Sequence, residues 1–297
     1  MNAAMAQTAL GGILPAIVTP FDDEGRFQES SFSALLEFVY AAGVDGIYVC
    51  GQTGEGLQQS PEQRKRVAEV AVRLSSPGKQ VIVHVGAAST AVAVELVRHA
   101  EKTGAAAVSS LPPAGAYSFA ETLEYYRQVA SASSLPFLVY YFPAGSAAIS
   151  PLAQIEELLA LPNVVGLKFT DMDLYKLSRL KKSRVVVFNG YDEILAAGLL
   201  MGADGGIGSF YNVVPEWFAG LYAAARAGDW MRARAIQESI NDLIAAGLRY
   251  PVHSAVKVML AWRGIDCGRP LPPRRPLTSA EETELRAWLD RSGIGKR

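Results

Sequence analysis

Short apolar runs alternate with longer amphipathic stretches along the first three quarters of the chain. The short runs are rich in β-branched residues and apolar on both faces, which is typical of buried parallel strands. The predicted strands are residues 13–19, 46–50, 81–85, 107–111, 137–142, 165–169, 185–188 and 205–209. Helices are predicted between them, for example over residues 31–42, 61–74, 91–102 and 119–131.

About eight such strand–helix units in a row predict a closed parallel (β/α)₈ barrel, the TIM-barrel fold. An open, doubly wound parallel sheet is the alternative. That fold usually carries a glycine-rich phosphate-binding turn after its first strand. Here Thr19-Pro20-Phe21-Asp22 follows the first strand instead, which favours the barrel.

The alternation stops at about residue 229. Three further helices are predicted, over residues 229–248, 252–263 and 279–292. A connector rich in proline and arginine, residues 269–276, separates the last two. The predicted organisation is therefore a barrel over residues 1–228 and a C-terminal helical extension, residues 229–297, packed on it.

Composition and charge exclude several classes of function. The 297 residues are 50% hydrophobic and 19% charged, with a net charge of -1, which suits a globular enzyme with a sizeable core. The sequence contains no basic stripe of the kind that binds nucleic acid, and no apolar run reaches the ~20 residues that span a bilayer. Two cysteines far apart, Cys50 and Cys267, favour a reduced cytoplasmic location over a disulfide scaffold.

The histidines give no sign of a metal site. His84, His99 and His253 are scattered, and no cysteine–histidine ligand spacing occurs, so neither metal nor cofactor is predicted. His84 lies within the third predicted strand, where a hydrogen-bonded core histidine is the favoured interpretation.

Lys168 is the most informative residue for chemistry. It lies within the sixth predicted strand, between Leu167 and Phe169, although lysine is rarely buried without a partner. A side chain that reaches the barrel rim is the structural alternative. Burial disfavours the charged ammonium, and a neutral amine is a nucleophile that forms imines with carbonyl substrates.

Two other strand ends carry candidate groups. Tyr140 ends the strand next to Lys168, and a phenol there can relay protons between imine, substrate and water. The segment 51–56, reading GQTGEG, offers backbone amides and the Thr53 hydroxyl for a carboxylate. Barrel active sites lie at these carboxyl ends of the strands, where the loops converge.

Taken together, these motifs resemble the N-acetylneuraminate lyase and dihydrodipicolinate synthase family of pyruvate-dependent class I aldolases, from about Gly11 to Leu277. The resemblance implies a barrel, usually a homotetramer, that uses no cofactor. It implies Lys168 as the Schiff-base residue and Tyr140 as the proton relay. Tyr140 matches that position better than Tyr141, because it lies three residues before the proline. Thr53 matches the hydroxyl that binds the pyruvyl carboxylate.

The lyase branch is the closer one. The segments 167–175, LKFTDMDLY, and 189–212, NGYDEILAAGLLMGADGGIGSFYN, are similar to those of sialic acid lyases. The resemblance implies that Asp192, Glu193 and Ser209 contact the polyhydroxylated tail of a sugar acid, and that Gly190 contributes backbone contacts. The expected partners are pyruvate and a small sugar acid or aldehyde, with N-acetylneuraminate and N-acetylmannosamine the first candidates.

Departures from the two branches bear on the substrate. The synthase branch normally has an arginine and a partner subunit's tyrosine where this chain has Gly145 and Ala114, which weakens a synthase function. Lyases usually have Ser or Thr where this chain has Gln52, a longer amide that either fills part of the pocket or contacts a different substrate. The alternatives are a dihydrodipicolinate synthase or related 2-keto-3-deoxy sugar acid aldolase or dehydratase, and a non-catalytic barrel. Retention of both Lys168 and Tyr140 argues against the last.

Overall fold

The computed structural model describes residues 10–146, 148–149 and 151–295. Strands and helices alternate through most of this range, and three helices follow. The strands are β1 (Gly12–Pro15), β2 (Gly46–Val49), β3 (Gln80–His84), β4 (Ala107–Ser110), β5 (Phe137–Tyr141), β6 (Val164–Phe169), β7 (Val186–Asn189) and β8 (Gly205–Gly208). The α-helices are α1 (Glu29–Ala41), α2 (Pro61–Leu74), α3 (Thr90–Thr103), α4 (Phe119–Ala130), α5 (Leu152–Leu159), α6 (Leu174–Lys181), α7 (Leu195–Leu200), α8 (Pro215–Arg226), α9 (Trp230–Gly247), α10 (Val252–Trp262) and α11 (Ser279–Arg291).

The eight strands are parallel and form a barrel. The sheet runs in the order β1-β8-β7-β6-β5-β4-β3-β2, so each strand from β2 to β7 pairs with the next strand in the chain, and β1 pairs with β8. A parallel bridge between Ala16 and Tyr48 brings β1 and β2 together at their ends, and the Ile17 amide donates to the Tyr48 carbonyl (2.9 Å). The TIM-barrel prediction is confirmed, and the open doubly wound sheet is excluded.

Alternation along the strands separates two buried apolar clusters. One lies inside the barrel and includes Leu14, Ile82, Leu138 and Ile207. The other, larger cluster lies between the strands and the surrounding helices. A side chain at the end of a strand therefore faces either the barrel interior or the helical layer, and a shift of one residue reverses its direction.

The first strand is shorter than predicted, since it ends at Pro15 and not at residue 19. Beyond Ala16, its backbone bonds to groups outside the β1–β8 pairing. The Val18 amide donates to the Asn212 side-chain oxygen (3.1 Å), which follows β8. An apolar run thus continues past the strand because the segment is buried, although it no longer pairs as a strand.

The last three helices begin within one residue of their predicted starts. Asp229 caps α9 by accepting from the Arg232 amide (3.1 Å), and Thr278 and Glu281 form a capping box at α11. In the part of the chain that the structure describes, no helix is both long and apolar enough to cross a membrane. The boundary of the helical extension at residue 229 stays a prediction.

Candidate active site

Lys168 and Tyr140 lie side by side inside the barrel. They are register partners on β6 and β5. Leu167 and Phe169 belong to the outer cluster, so alternation turns Lys168 inward, and only 5% of its surface is exposed. Its Nζ lies 4.1 Å from the centre of the Tyr140 ring. The two residues that the sequence predicts for imine chemistry and proton transfer therefore share one space.

Tyr48 completes this arrangement, and sequence reasoning missed it. It lies on β2, inside the barrel, with its ring centre 4.9 Å from Lys168 Nζ. The Tyr48 ring meets the Tyr140 ring edge-on, with 6.3 Å between centres, and its hydroxyl donates to Ser109 Oγ (3.1 Å). In the sequence, Tyr48 is one aromatic residue in an apolar strand, and only the barrel's closure brings it opposite β6.

Tyr141 points away from this site. Its ring stacks on Phe169 in the outer layer, with ring centres 5.4 Å apart. Its hydroxyl donates to Asp171 Oδ2 (3.1 Å) and accepts from Lys176 Nζ (2.9 Å). The choice of Tyr140 over Tyr141 therefore agrees with the direction in which each side chain points.

The loop after β2 and the end of β8 meet through two hydroxyls. Thr53 Oγ1 and Ser209 Oγ are 2.6 Å apart. Two loop amides are used within the loop: the Glu55 amide donates to the Gln52 carbonyl and the Gly56 amide to the Gly51 carbonyl, both at 3.0 Å. The polar group that this loop brings to Ser209 is the Thr53 hydroxyl, and not a set of free backbone amides.

Asp192 is a buried carboxylate at the same end of the barrel. Its Oδ2 accepts from the Phe210 amide (2.7 Å), and a Cβ at Gly208 would lie 1.8 Å from its Oδ1, so only glycine fits there. Burial raises the pKa of Asp192 to about 7, while the Phe210 amide and the charge of Lys168 act in the opposite direction. Glu193, the next residue, is half-buried.

Gly190 has a steric reason to be glycine. A Cβ there would lie 1.9 Å from Thr170 Oγ1, and its amide donates to the Phe169 carbonyl (2.8 Å). This close approach holds the start of the β7 loop against the end of β6, directly beyond Lys168. The contact that the structure assigns to Gly190 is thus with the neighbouring strand.

Gln52 is held through its backbone. Its side chain is half-buried, and its carbonyl accepts from His253 Nε2 at the start of α10 (2.9 Å). His253 Nδ1 accepts from Arg274 (3.0 Å). Burial and the Arg274 charge lower the pKa of His253 to about 4, so the ring is neutral and Nε2 carries the hydrogen.

His84 is a satisfied core histidine, as predicted. Its Nδ1 donates to the Cys50 carbonyl (3.1 Å), and its Nε2 accepts from the Leu111 amide (3.1 Å). Burial, with the charges of Arg64 and Lys168, holds the pKa of His84 well below its usual value. Within the described residues, no group of three or more His, Cys, Asp or Glu side chains is arranged to hold a metal ion.

Comparison with known proteins places this barrel in a family. The model of the dihydrodipicolinate synthetase family matches residues 9–292. The chain belongs to that family. The N-acetylneuraminate lyase of Rhizobium meliloti is 36% identical over 282 residues, which cover 94% of this chain and 93% of that protein.

Two solved structures superpose closely on this chain. CdNal from Clostridium difficile, solved in complex with mannosamine, has a TM-score of 0.91 at 27% identity and covers 95% of this chain and 99% of its own. A prophage protein of the dihydrodipicolinic acid synthase family from E. coli K12, solved in complex with pyruvate, also has a TM-score of 0.91 at 27% identity. It covers 96% of this chain and 99% of its own.

Proposed function

We propose that this chain is a Schiff-base aldolase that cleaves N-acetylneuraminate to pyruvate and N-acetylmannosamine. The observation that carries the proposal is Lys168, an inward-facing lysine between the rings of Tyr140 and Tyr48. A primary amine in this position forms an imine with the keto group of a 2-keto acid. The identity to an N-acetylneuraminate lyase over nearly the whole chain supports the choice of substrate.

Tyr140 is proposed to carry the protons of the cleavage, and both Lys168 and Tyr140 end in the state in which they begin. Lys168 Nζ adds as a free amine to the C2 carbonyl of the open-chain sugar acid, Tyr140 gives its phenolic proton to the departing hydroxyl, and water leaves to give a protonated imine. The Tyr140 phenolate then takes the proton of the C4 hydroxyl, the C3–C4 bond breaks, and its electron pair is delocalised onto the imine as an enamine. The aldehyde leaves, Tyr140 returns the proton to C3, and water hydrolyses the protonated imine to release pyruvate, the free amine of Lys168 and a proton that restores the Tyr140 phenol.

The groups around Lys168 are proposed to bind two different parts of the substrate. Thr53 is proposed to bind the carboxylate next to the imine, with Gln52 beside it. Asp192, Glu193 and Ser209 are proposed to pair with the hydroxyls of the tail, and Gly190 to contribute backbone contacts. The contact between the Thr53 and Ser209 hydroxyls supports this proposal, because it brings one group proposed for the carboxylate next to one group proposed for the tail.

A synthase that condenses pyruvate with aspartate semialdehyde is the second candidate, because the Schiff-base chemistry is shared. Gly145 provides no cation for a second carboxylate. A Cβ at Gly145 would lie 2.4 Å from the Phe142 ring, which stacks on Tyr140 with ring centres 6.1 Å apart. A longer side chain at residue 145 has to displace this ring. The site is therefore not shaped for the arginine that the synthase branch normally has there, which disfavours the synthase.

The test is a substrate screen with coupled detection of pyruvate. A site that pairs substrate hydroxyls rejects analogues without them by a factor of about 10⁴–10⁵, because its own polar groups stay unpaired. We expect pyruvate release from N-acetylneuraminate far faster than condensation with aspartate semialdehyde. Efficient condensation with no cleavage of any sugar acid would overturn the choice of substrate but would not contradict the Schiff-base mechanism.

Gln52 is tested in the same assay. If its side chain fills part of the pocket, Gln52→Ser raises activity on N-acetylneuraminate; if it contacts another sugar acid, the same change lowers activity on that substrate. We further propose a homotetramer in the cytoplasm, which the family resemblance supports. Both cysteines, Cys50 and Cys267, are free and buried, in keeping with a reduced compartment.

A further inference from the structure

Two amide side chains on α9 hold the segment that carries Asp192 and Glu193. Gln237 and Asn241 lie one helical turn apart, so they share a face of the helix. Only 8% of Gln237 is exposed. Neither residue belongs to the barrel or to the groups already assigned to the reaction.

Their hydrogen bonds reach three backbone positions. Gln237 Nε2 donates to the Asp192 carbonyl (2.9 Å), and Gln237 Oε1 accepts from the Ala196 amide (2.9 Å). Asn241 Nδ2 donates to the Glu193 carbonyl (3.2 Å). Gln237 Nε2 also donates to Asn241 Oδ1 (2.9 Å), which links the two side chains.

These contacts fix a short turn that has little support of its own. The segment Asp192–Ile194 is a single 3-10 turn, and the six-residue helix Leu195–Leu200 follows it directly. Without Gln237 and Asn241, the Glu193 carbonyl and the Ala196 amide lose these partners, and the Asp192 carbonyl keeps only the bond from the Leu195 amide within the turn. The Asp192 side chain also accepts from the Phe210 amide, which follows β8. A shift of the turn would therefore also disturb the end of β8.

We propose that Gln237 and Asn241 are positioning residues that set specificity for the hydroxylated part of the substrate, through the backbone of the Asp192–Glu193 turn. This inference rests on the proposed function. Lys168 and Tyr140 are held by the pairing of β5 with β6, and the bonds described for Gln237 and Asn241 go to the turn, to the start of the helix that follows it, or to each other. The two residues should therefore affect the tail of the substrate and not the imine.

The test uses Gln237→Met and Asn241→Leu in the full chain, which remove the hydrogen bonds and keep side-chain volume. The control is Glu238→Met, which places methionine at the adjacent exposed position of α9 and removes only a surface ion pair with Arg234. Misplacement of a binding group by about 1 Å costs up to about 10²-fold. We expect kcat/KM for N-acetylneuraminate to fall about 10–100-fold, mainly through KM, while borohydride trapping of pyruvate on Lys168 stays at the wild-type level.

A second measurement separates this inference from the proposed function. Amide hydrogen exchange at Ala196 reports the Gln237 bond whether or not the protein cleaves a sugar acid, and we expect faster exchange in Gln237→Met than in wild type and Glu238→Met. Wild-type inactivity on sugar acids overturns the proposed function alone. Unchanged exchange and unchanged KM, or equal loss of pyruvate trapping and of cleavage, would overturn the positioning role.

Discussion

At the scale of single residues, the environment of Lys168 explains how a charged side chain is tolerated inside the barrel. The faces of Tyr140 and Tyr48 lie 4.1 and 4.9 Å from its Nζ. The negative face of an aromatic ring attracts a cation, which partly offsets the cost of removing the ammonium from water. The protonated imine proposed for Lys168 carries its charge on the same nitrogen, so we expect it to gain the same stabilisation.

Tyr140→Phe removes one hydroxyl and keeps the ring beside Lys168. General acid–base groups contribute about 10²–10⁴-fold, so kcat should fall by that order. Circular dichroism and thermal unfolding should match wild type, because the ring contacts with Tyr48 and Phe142 remain. Turnover close to wild type would assign proton transfer to another group, and Tyr141→Phe serves as the matched control on the outer face.

Asp192 predicts a pH effect on stability. Its pKa rises from 3.8 to about 7 on folding, mainly through burial, so between these values the folded state holds a proton that the unfolded chain has lost. The contribution of Asp192 to the free energy of unfolding is fully present below its unfolded pKa of 3.8 and is lost as the pH rises through its folded pKa of about 7.

Asp192→Asn should remove this dependence. Compared with wild type, the variant should become more stable as pH rises from about 4 to about 7, by up to a few kcal/mol (~1.4 kcal/mol per pKa unit). Urea unfolding at both ends of this range measures the difference, with Asp242→Asn, an exposed carboxylate on α9, as control. A difference between Asp192→Asn and wild type that does not vary with pH would contradict the raised pKa.

At the scale of elements, the sequence predicts the strands and most of the site, because both depend on local pattern. Apolar runs and their alternation place Lys168, the rule for barrel strand ends places Thr53, and the family resemblance adds Asp192. Tyr48 and Gln237 could not be predicted, since their roles depend on which distant segments meet. The position of Gln237 on an amphipathic helix says nothing about the turn that its side chain reaches.

A buried ion pair joins the loop after β2 to α10. Lys257 Nζ lies 3.0 Å from Glu55 Oε1, and the two side chains are only 3% and 0% exposed. Glu55 also accepts from the Leu271 amide (2.7 Å), so the carboxylate ties the Thr53 loop to the connector before α11.

Lys257→Met should destabilise the protein strongly, because it removes the nearer cation from the buried Glu55 carboxylate and leaves Arg274 at 3.9 Å. Loss of one partner of a buried pair costs about 3–5 kcal/mol. Urea unfolding of Lys257→Met against Lys182→Met, an exposed position, measures this cost. Adding Glu55→Gln to Lys257→Met should recover part of the stability; a loss no larger than that of Lys182→Met would show that the pair is not buried in solution.

At the scale of the whole molecule, the C-terminal helices contact two loops of the site. His253 and Lys257 on α10 hold the loop after β2, and Gln237 and Asn241 on α9 hold the turn after β7. We therefore propose that the C-terminal helical extension packs on the barrel over the described residues 229–295.

The assembly is a separate prediction at this scale. The family resemblance implies a homotetramer of the 31.8 kDa chain. Light scattering coupled to size exclusion should give four times the chain mass, and the mass of one chain at assay concentrations would contradict it. The proposed imine chemistry does not depend on this result, since Lys168, Tyr140 and Tyr48 all come from a single barrel.

The most direct test of the central claim is reductive trapping of the imine. Borohydride added in the presence of pyruvate should fix a three-carbon adduct on the peptide that contains Lys168, and peptide mass spectrometry locates it. Lys168→Ala should show no adduct and no turnover, while Lys176→Ala, which changes a lysine bonded to Tyr141 on the outer face, should still be trapped at Lys168. An adduct on any other lysine, or none in wild type, would contradict the assignment of Lys168.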